Sequence, residues 1–356
     1  MKKSILIAAG GTGGHVFPGL ALAQAFQAQG YEVTWMGTTK GIEAKVIPKT
    51  EIPIDYLQVS GLRGKGLFSL FLAPFKLLRA LVQTYQIFKI RKPDLVMGFG
   101  GFVSGPAGIM AFLTGTPYVL HEQNAIPGLT NRYLSHIAQY VFASFKEAFP
   151  EKKNVIVTGN PVRAEILALS EPQIRFQEHT GPLRLLVLGG SQGALRINEI
   201  VPRALVKINM PMVVKHQCGE TSYESTLQTY SVLNIECEIM KFIDDMASAY
   251  AWADVVVCRA GATTIAELMA VGLGAILIPY PHAVDDHQTK NGLYLVKANA
   301  AVMIAQQDLT AEVLAATLEK IATRDECLRM ALAAKSIYQG DAVKTIINYC
   351  EEVLNG

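Results

Sequence analysis

Charge is scarce in this chain: Asp, Glu, Lys and Arg make up only 17% of 356 residues, hydrophobic residues make up 50%, and the formal net charge is +2. So even a balance excludes a general attraction to nucleic acid, and basic character has to be local to matter. Acid is missing altogether from Tyr56 to Pro93, a stretch that carries Arg63, Lys65, Lys76, Arg79, Lys89, Arg91 and Lys92. Cysteine is sparse: the five residues at 218, 237, 258, 327 and 350 show no C-x-x-C spacing and no paired framework, which suits a reducing compartment. No D-x-D occurs, and the adjacent pairs Asp244-Asp245 and Asp285-Asp286 would diverge on a strand, so a metal holding a diphosphate has no obvious ligands. No apolar run approaches the roughly 18 residues that cross a bilayer. Lys2 and Lys3 ahead of Ile5-Leu6-Ile7 imitate the start of a signal peptide, but the run stops at Ala9 before glycines and reads as a first strand.

What is present is a repeated strand–glycine turn–helix pattern, in a chain long enough for two domains. Ser4 to Ala9 leads into Gly10-Gly11-Thr12-Gly13-Gly14-His15 and a helix carrying Leu20, Leu22, Ala23 and Phe26. A dinucleotide fingerprint would need glycine at Val16, and the next strand, Glu32 to Met36, ends in Gly37-Thr38 without a ribose-binding acid, which weakens an oxidoreductase reading. The basic stretch holds a flexible loop, Gly61 to Gly66, then the apolar run Leu67 to Phe75. On the helix that follows, Lys76, Arg79 and Gln83 share a face opposite Leu77, Leu78, Leu81 and Tyr85. Two readings stand for it: an amphipathic surface for anionic lipid, or a core helix with its charged side in water. After a second glycine crest at 98–106, the strand Thr116 to Leu120 delivers His121-Glu122-Gln123-Asn124, four polar side chains at the end of a strand where ligands bind in open α/β sheets.

A turn cluster, Gly159-Asn160-Pro161-Val162-Arg163, marks a change of domain, and the pattern then begins again. Leu183 to Leu188 opens into Gly189-Gly190-Ser191-Gln192-Gly193-Ala194. Strand candidates recur at Met212–Lys215, Ile235–Met240, Val255–Val257, Ala275–Ile278 and Ala301–Ile304. The stretch Asp254 to Gly272 reads as strand, glycine turn and helix; Ile265, Leu268 and Met269 fall on one inward face, and the small residues Ala262, Thr263 and Thr264 occupy a first turn suited to an anion. Glu267 lies four residues from Thr263, on the same side; its plain alternative is a solvated surface acid. Tyr280 to Asn291 reads as a proline-led loop. The helix from about Asp341 to Leu354 has no sheet partner of its own and is a candidate to cross back to the first domain. The expected division is therefore 1–162 and 163–340, with 341–356 packing back on the first domain.

The strings GGTGGH at 10–15, SGLRGKG at 60–66, GGFVSGPAG at 100–108, HEQN at 121–124, GNPVR at 159–163, GGSQGA at 189–194, FIDDM at 242–246 and RAGATTIAE at 259–267 together resemble the MurG family, over nearly the whole chain. The resemblance implies an α/β GT-B fold, two Rossmann-like doubly wound parallel-sheet domains facing a cleft. It implies inverting transfer of N-acetylglucosamine from UDP-N-acetylglucosamine to the C4 hydroxyl of N-acetylmuramic acid in lipid I, forming the β-1,4 link of lipid II. By the same resemblance Ile243 meets the uracil and Glu267 the ribose. Ala262, Thr263 and Thr264, with Ile265 and Ala266 in the same run, hold the diphosphate beside Ser191 and Arg163. Gln288 and Asn124 read the sugar, and Thr12, Gly13 and Gly14 close on the donor from the first domain. Phe102 departs from the tyrosine expected in some relatives. Two residues qualify as the base, His15 and Glu122; the latter needs a pKa raised by burial. Arg63, Lys65, Phe71, Phe75, Lys76 and Arg79 form the side toward acceptor and membrane. No metal or other cofactor and no nucleic acid is expected; an anionic membrane surface is, at the cytoplasmic face of the inner membrane. Other readings are a different GT-B transferase or UDP-sugar epimerase, an NAD-linked oxidoreductase, and a nucleotide-sugar sensor.

Overall fold

The computed structural model describes residues 2–58, 73–150, 152, 154–190, 193–321 and 323–355. Arg63, Lys65, Phe71 and Ser191, each given a role above, lie outside them. The chain divides into two compact units: Met1–Arg163 with Gln339–Gly356, and Ala164–Tyr338.

Unit 1 holds β1 (Ser4–Ala8), β2 (Glu32–Thr38), β3 (Ile54–Leu57), β4 (Leu95–Gly98), β5 (Tyr118–Glu122), β6 (Tyr140–Ala143) and β7 (Val155–Val157), paired in parallel in the order β3-β2-β1-β4-β5-β6-β7. Its helices are α1 (Gly13–Ala28), α2 (Glu43–Val46), α3 (Ala73–Arg91), α4 (Gly101–Thr114) and α5 (Leu129–Leu134). Parallel strands are covered on both faces, so both parities of β1 are apolar. Ile5 and Ile7 enter a core with Val33, Trp35, Val16, Leu20 and Phe26, while Leu6 and Ala8 enter another with Met36, Val96, Ile87 and Met110. The terminal helix Ala342–Asn355 closes the first of these cores with Ala342, Ile346, Ile347 and Cys350.

Of the two readings of α3, a core helix whose large apolar residues pack inward is not what the structure shows. Its packed stripe is Ala80, Thr84, Ile87 and Phe88, whereas Phe75, Leu77, Leu78, Val82, Tyr85 and Ile90 are exposed. Small Ala80 and Thr84 let the helix lie close to the sheet layer, and Thr84 satisfies its hydroxyl by donating to the Ala80 carbonyl at 2.8 Å. The larger apolar side chains therefore point outward. Among the described residues, no helix is long and apolar enough to cross a membrane.

Unit 2 repeats the plan with β8 (Leu183–Leu188), β9 (Met212–Gln217), β10 (Glu238–Met240), β11 (Val255–Cys258), β12 (Gly274–Leu277) and β13 (Ala301–Met303), in parallel order β10-β9-β8-β11-β12-β13. Its helices are α6 (Ala164–Leu167), α7 (Pro172–Glu178), α8 (Leu195–Leu205), α9 (Tyr223–Val232), α10 (Met246–Trp252), α11 (Ala262–Val271), α12 (His287–Lys297), α13 (Ala311–Ile321) and α14 (Arg324–Ser336). Strand order reverses between β1 and β4 in one sheet and between β8 and β11 in the other. Crevices at such reversals, outside the carboxyl ends of the strands, are where this architecture binds ligands.

Candidate functional site

At the reversal point of unit 1, the loop after β1 meets the start of α4. A Cβ on Gly101, whose φ is +74°, would stand 3.1 Å from the Gly10 carbonyl oxygen and 3.5 Å from His15 Nδ1, so only glycine admits this approach. Thr12 is the N-cap of α1, its side chain making no cap hydrogen bond, and Gly13, Gly14 and His15 form the first turn. His15 is half-buried; its Nδ1 lies 3.3 Å from the Gly10 carbonyl and 3.4 Å from Thr12 Oγ1. A carbonyl only accepts, so a hydrogen bond here needs the ring proton on Nδ1, and a neutral ring then carries its lone pair on Nε2, the form a general base requires.

The loop is organised by a residue that sequence reasoning missed. Glu43, fully buried on α2, accepts from Gly11 N at 2.9 Å with one carboxylate oxygen, and from Thr38 N at 2.8 Å and Thr38 Oγ1 at 2.7 Å with the other. A Cβ on Gly10 would stand 2.5 Å from Glu43 Oε1. Part of the glycine-rich run thus makes room for the chain's own carboxylate. Its only signal in the sequence is an acid just past a strand end that lacks one.

The four polar residues after β5 are engaged in hydrogen bonds within unit 1. His121, Glu122 and Gln123 are buried, and Asn124 is half-buried. Glu122 accepts from Asn124 N at 2.9 Å, Asn124 Nδ2 at 3.2 Å, Gly128 N at 3.1 Å and Asn131 Nδ2 at 2.9 Å. Burial raises its pKa, against the opposing pull of those donors. The raised pKa required of a base is therefore present, but the carboxylate is spent on holding the 124–131 turn. Asn124, expected to read a sugar, folds its amide back on Glu122. His121 is held neutral, its pKa pushed down to about 4 by burial despite a 3.1 Å contact with the Gly159 carbonyl.

In unit 2, β11 delivers α11 at the reversal point. Its N-cap is Gly261, which offers the first-turn N–H groups no side-chain acceptor, and its C-cap is Gly272 in the left-handed region at φ +67°. Ala262, Thr263 and Thr264 form the first turn, an arrangement of backbone donors and helix dipole suited to an anion. Ile265 and Ala266, grouped with the donor contacts above, are buried, and the Ile265 N–H donates to the Gly261 carbonyl at 2.9 Å. Helix closure consumes the Ile265 N–H. Glu267 is not the solvated acid of the plain alternative: it is 6% exposed and accepts from the Tyr250 hydroxyl at 2.9 Å. Tyr250 belongs to α10, the helix that follows the Ile243 loop, and Ile243 is itself buried. Asp245 caps α10, accepting from Ser248 N at 3.0 Å and Ser248 Oγ at 2.6 Å.

Gln288 lies on the first turn of α12 and not in a loop; its Oε1 accepts from Tyr280 N at 2.9 Å. Just before it, Asp285 and Asp286 both occupy the left-handed region, at φ 54° and 53°, and that double turn starts the helix early. Arg259 ties this segment to β11, donating to the carbonyls of Ile278 at 3.1 Å and Pro279 at 3.2 Å and to Gln306 Oε1 at 2.6 Å. Arg163, placed by expectation beside the diphosphate in the second domain, belongs to unit 1, where its guanidinium lies 5.4 Å from the Phe17 ring centroid.

Comparison with known proteins decides the family. Residues 5–143 match the glycosyltransferase family 28 N-terminal domain and residues 184–346 the family 28 C-terminal domain. A Marinobacter nauticus protein is 49% identical over 360 residues, covering 100% of this chain and 99% of its own length, and one from Hahella chejuensis is 48% identical over 354, covering 98% of each. Both are named UDP-N-acetylglucosamine–N-acetylmuramyl-(pentapeptide) pyrophosphoryl-undecaprenol N-acetylglucosamine transferase. The crystal structure of Acinetobacter baumannii MurG aligns at TM-score 0.82 with 37% identity, covering 99% of this chain and 100% of that one.

The chain belongs to the MurG family. It is a glycosyltransferase of the GT-B class, and the two parallel sheets are the two domains of that class. Glycosyltransferases outside the MurG family share the fold alone: CalG4, the calicheamicin glycosyltransferase, aligns at TM-score 0.69 with 14% identity.

Proposed function

We propose that the protein transfers N-acetylglucosamine from UDP-N-acetylglucosamine to the C4 hydroxyl of N-acetylmuramic acid in lipid I, undecaprenyl-diphospho-MurNAc-pentapeptide. The anomeric centre inverts and lipid II, the precursor of peptidoglycan, is formed; through it the enzyme serves cell-wall growth, cell shape and division. One observation carries the reading: relatives 45–49% identical over 98–100% of this chain share the name of that transferase. Mixing the protein with UDP-N-acetylglucosamine and a lipid I analogue should release UDP and yield the β-1,4 disaccharide. No acceptor-dependent UDP release would overturn the reading.

In this reaction α11 and the residues around it take the donor. Glu267 accepts from the ribose hydroxyls, the Ile243 loop lies against the uracil, and the first turn at Ala262, Thr263 and Thr264 faces the diphosphate, with Ser191 beside it. Gln288 addresses the sugar. The leaving UDP gains charge as the C1–O bond breaks, and backbone N–H groups at a helix N-terminus stabilise such charge without a metal. The reaction is therefore expected to run in excess EDTA; complete loss restored by a divalent cation would refute that. His15 removes the proton from the attacking hydroxyl through Nε2. The Gly10 carbonyl beside Nδ1 supports it over Glu122, whose carboxylate is buried under donors.

The acceptor's diphosphate and polyprenyl tail require a membrane surface, and α3 suits one. Phe75, Leu78 and Val82 are exposed beside Lys76, Arg79 and Lys89, an apolar row with a basic margin. The enzyme on this reading is peripheral, at the cytoplasmic face of the inner membrane, with UDP-N-acetylglucosamine, lipid I and anionic lipid as its partners.

A further inference from the structure

We propose that Glu43 is a positioning residue that sets the tautomer of His15 through the peptide joining Gly10 to Gly11. The inference rests on the reading of His15 as the base. In a trans peptide the carbonyl and the N–H point to opposite sides. The Gly11 N–H donates to Glu43 Oε2 at 2.9 Å, and the Gly10 carbonyl of the same peptide meets His15 Nδ1 at 3.3 Å. Carboxylate, peptide and imidazole thus form one hydrogen-bonded line. A carboxylate at one end of such a line polarises the peptide and makes its carbonyl a stronger acceptor, which favours the proton on Nδ1 and the lone pair on Nε2. In hydrolytic triads an acid performs this service in direct contact with the ring; here a backbone amide stands between them.

The carboxylate has little freedom to do anything else. Its second oxygen is held by Thr38 N at 2.8 Å and Thr38 Oγ1 at 2.7 Å, and the residue is fully buried. Gly10 and Gly41 lack the Cβ atoms that would collide with it. On the far side, the backbone of Gly101 leaves the His15 ring edge close against a second loop, so turning the 10–11 peptide would move the ring.

Glu43→Gln separates the carboxylate's charge from its shape. The amide keeps its oxygen toward the two Thr38 donors and turns its NH2 group toward the Gly11 N–H, donor against donor, so the peptide line is broken. Nitrogen NMR of 15N-histidine-labelled full-length protein should show His15 as the Nδ1–H tautomer in the wild type and shifted toward Nε2–H in Glu43→Gln. Turnover with UDP-N-acetylglucosamine and a lipid I analogue should show kcat lowered at least about tenfold, short of the about 10²–10⁴-fold expected for His15→Ala, with donor KM kept. Ile346→Ala opens a cavity in the core of the same unit and serves as the stability control; it should lower Tm and leave the tautomer unchanged. A Glu43→Gln protein that keeps the Nδ1–H tautomer and wild-type kcat, or a loss that merely follows Tm as in Ile346→Ala, overturns the inference. So does an Nε2–H tautomer in the wild type, a measurement that stands even where Glu43→Gln fails to fold. Loss of kcat in His15→Ala without loss in Glu43→Gln overturns this inference alone, whereas full kcat in His15→Ala overturns the base reading beneath it.

Discussion

Glu267 shows how a buried acid can serve a ligand: the Tyr250 hydroxyl holds one oxygen at 2.9 Å and so orients the carboxylate before a diol arrives. Hydrogen bonds to a charged group are worth about 1.5–3 kcal/mol, so Glu267→Ala should raise donor KM roughly 10–100-fold in steady-state kinetics. Tyr250→Phe removes only the orienting bond and should raise KM less, with kcat kept. An unchanged donor KM in both variants would remove Glu267 from the site. The two candidate bases separate in the same way. His15→Ala should cost about 10²–10⁴ in kcat with little loss of Tm. Glu122→Ala leaves the N–H donors of Asn124, Gly128 and Asn131 without their acceptor and should lower unfolding free energy by at least about 2 kcal/mol. If the kcat loss falls instead on Glu122→Ala while its melting point holds, the roles are exchanged.

Among the elements, α3 carries the clearest prediction, because it turns large apolar residues outward beside basic ones. Lys and Arg near an anionic surface contribute about 1 kcal/mol each, and neither they nor the apolar row suffices alone. Binding to anionic vesicles should accordingly be reversible and salt-sensitive, lost on charge reversal at Lys76 and Arg79 and weakened by Phe75→Ser, with turnover on a short-chain soluble acceptor largely kept. Co-sedimentation at low and high salt reads this out, and equal binding by wild type and the charge-reversed protein would leave α3 without that role. The helix also marks the limit of what was legible in the sequence. Periodicity shows that a helix has two faces; which one packs depends on whether small residues such as Ala80 and Thr84 are needed for close approach, and that is decided by the neighbouring elements. Strand β11 was readable because burial on both faces leaves an unbroken apolar run, and the glycine turn before α11 because its helix follows at once. Glu43 was not, since its partner Gly11 lies 32 residues away and the contact exists only once β1 and β2 pair. The cluster from His121 to Asn124 could be placed at a strand end, but the bonds by which Glu122 ties down the 124–131 turn could not be read, because a polar cluster there looks the same whether it faces a ligand or its own loop.

For the molecule as a whole, acid should be destabilising. Burial pushes His121 down to about 4 in unit 1 and His216 down to about 3 in unit 2. Both are neutral in either state at pH 7. Below about 6.5 the unfolded chain takes up protons that the folded one refuses, so stability falls as pH drops toward 4, by up to about 1.4 kcal/mol per pH unit for each histidine. Glu122 acts in the opposite sense, since a raised carboxyl pKa lets the folded state take its proton first. Denaturant unfolding at pH 7 and pH 5 should show the loss, and Glu122→Gln should steepen it. Constant stability across that range in both proteins would contradict the assignment.

The terminal helix ties unit 1 together from both ends of its chain: Ile346, Ile347 and Cys350 complete the core begun by Ile5 and Ile7, and Lys3 Nζ donates to the Leu354 carbonyl and, at 3.1 Å, to Asn355 Oδ1. Synthesis runs from the N-terminal side, and this has an order built in. Unit 2 is one continuous stretch and leaves the ribosome ahead of residues 339–355, whereas unit 1, although made first, keeps an apolar face of its sheet open until the helix Ala342–Asn355 emerges. Ribosome-arrested chains in which Tyr338 is followed by a linker long enough to clear the exit tunnel should therefore present a protease-resistant unit 2 beside a protease-sensitive unit 1 that binds chaperones, and the same linker placed after Asn355 should abolish both the sensitivity and the binding.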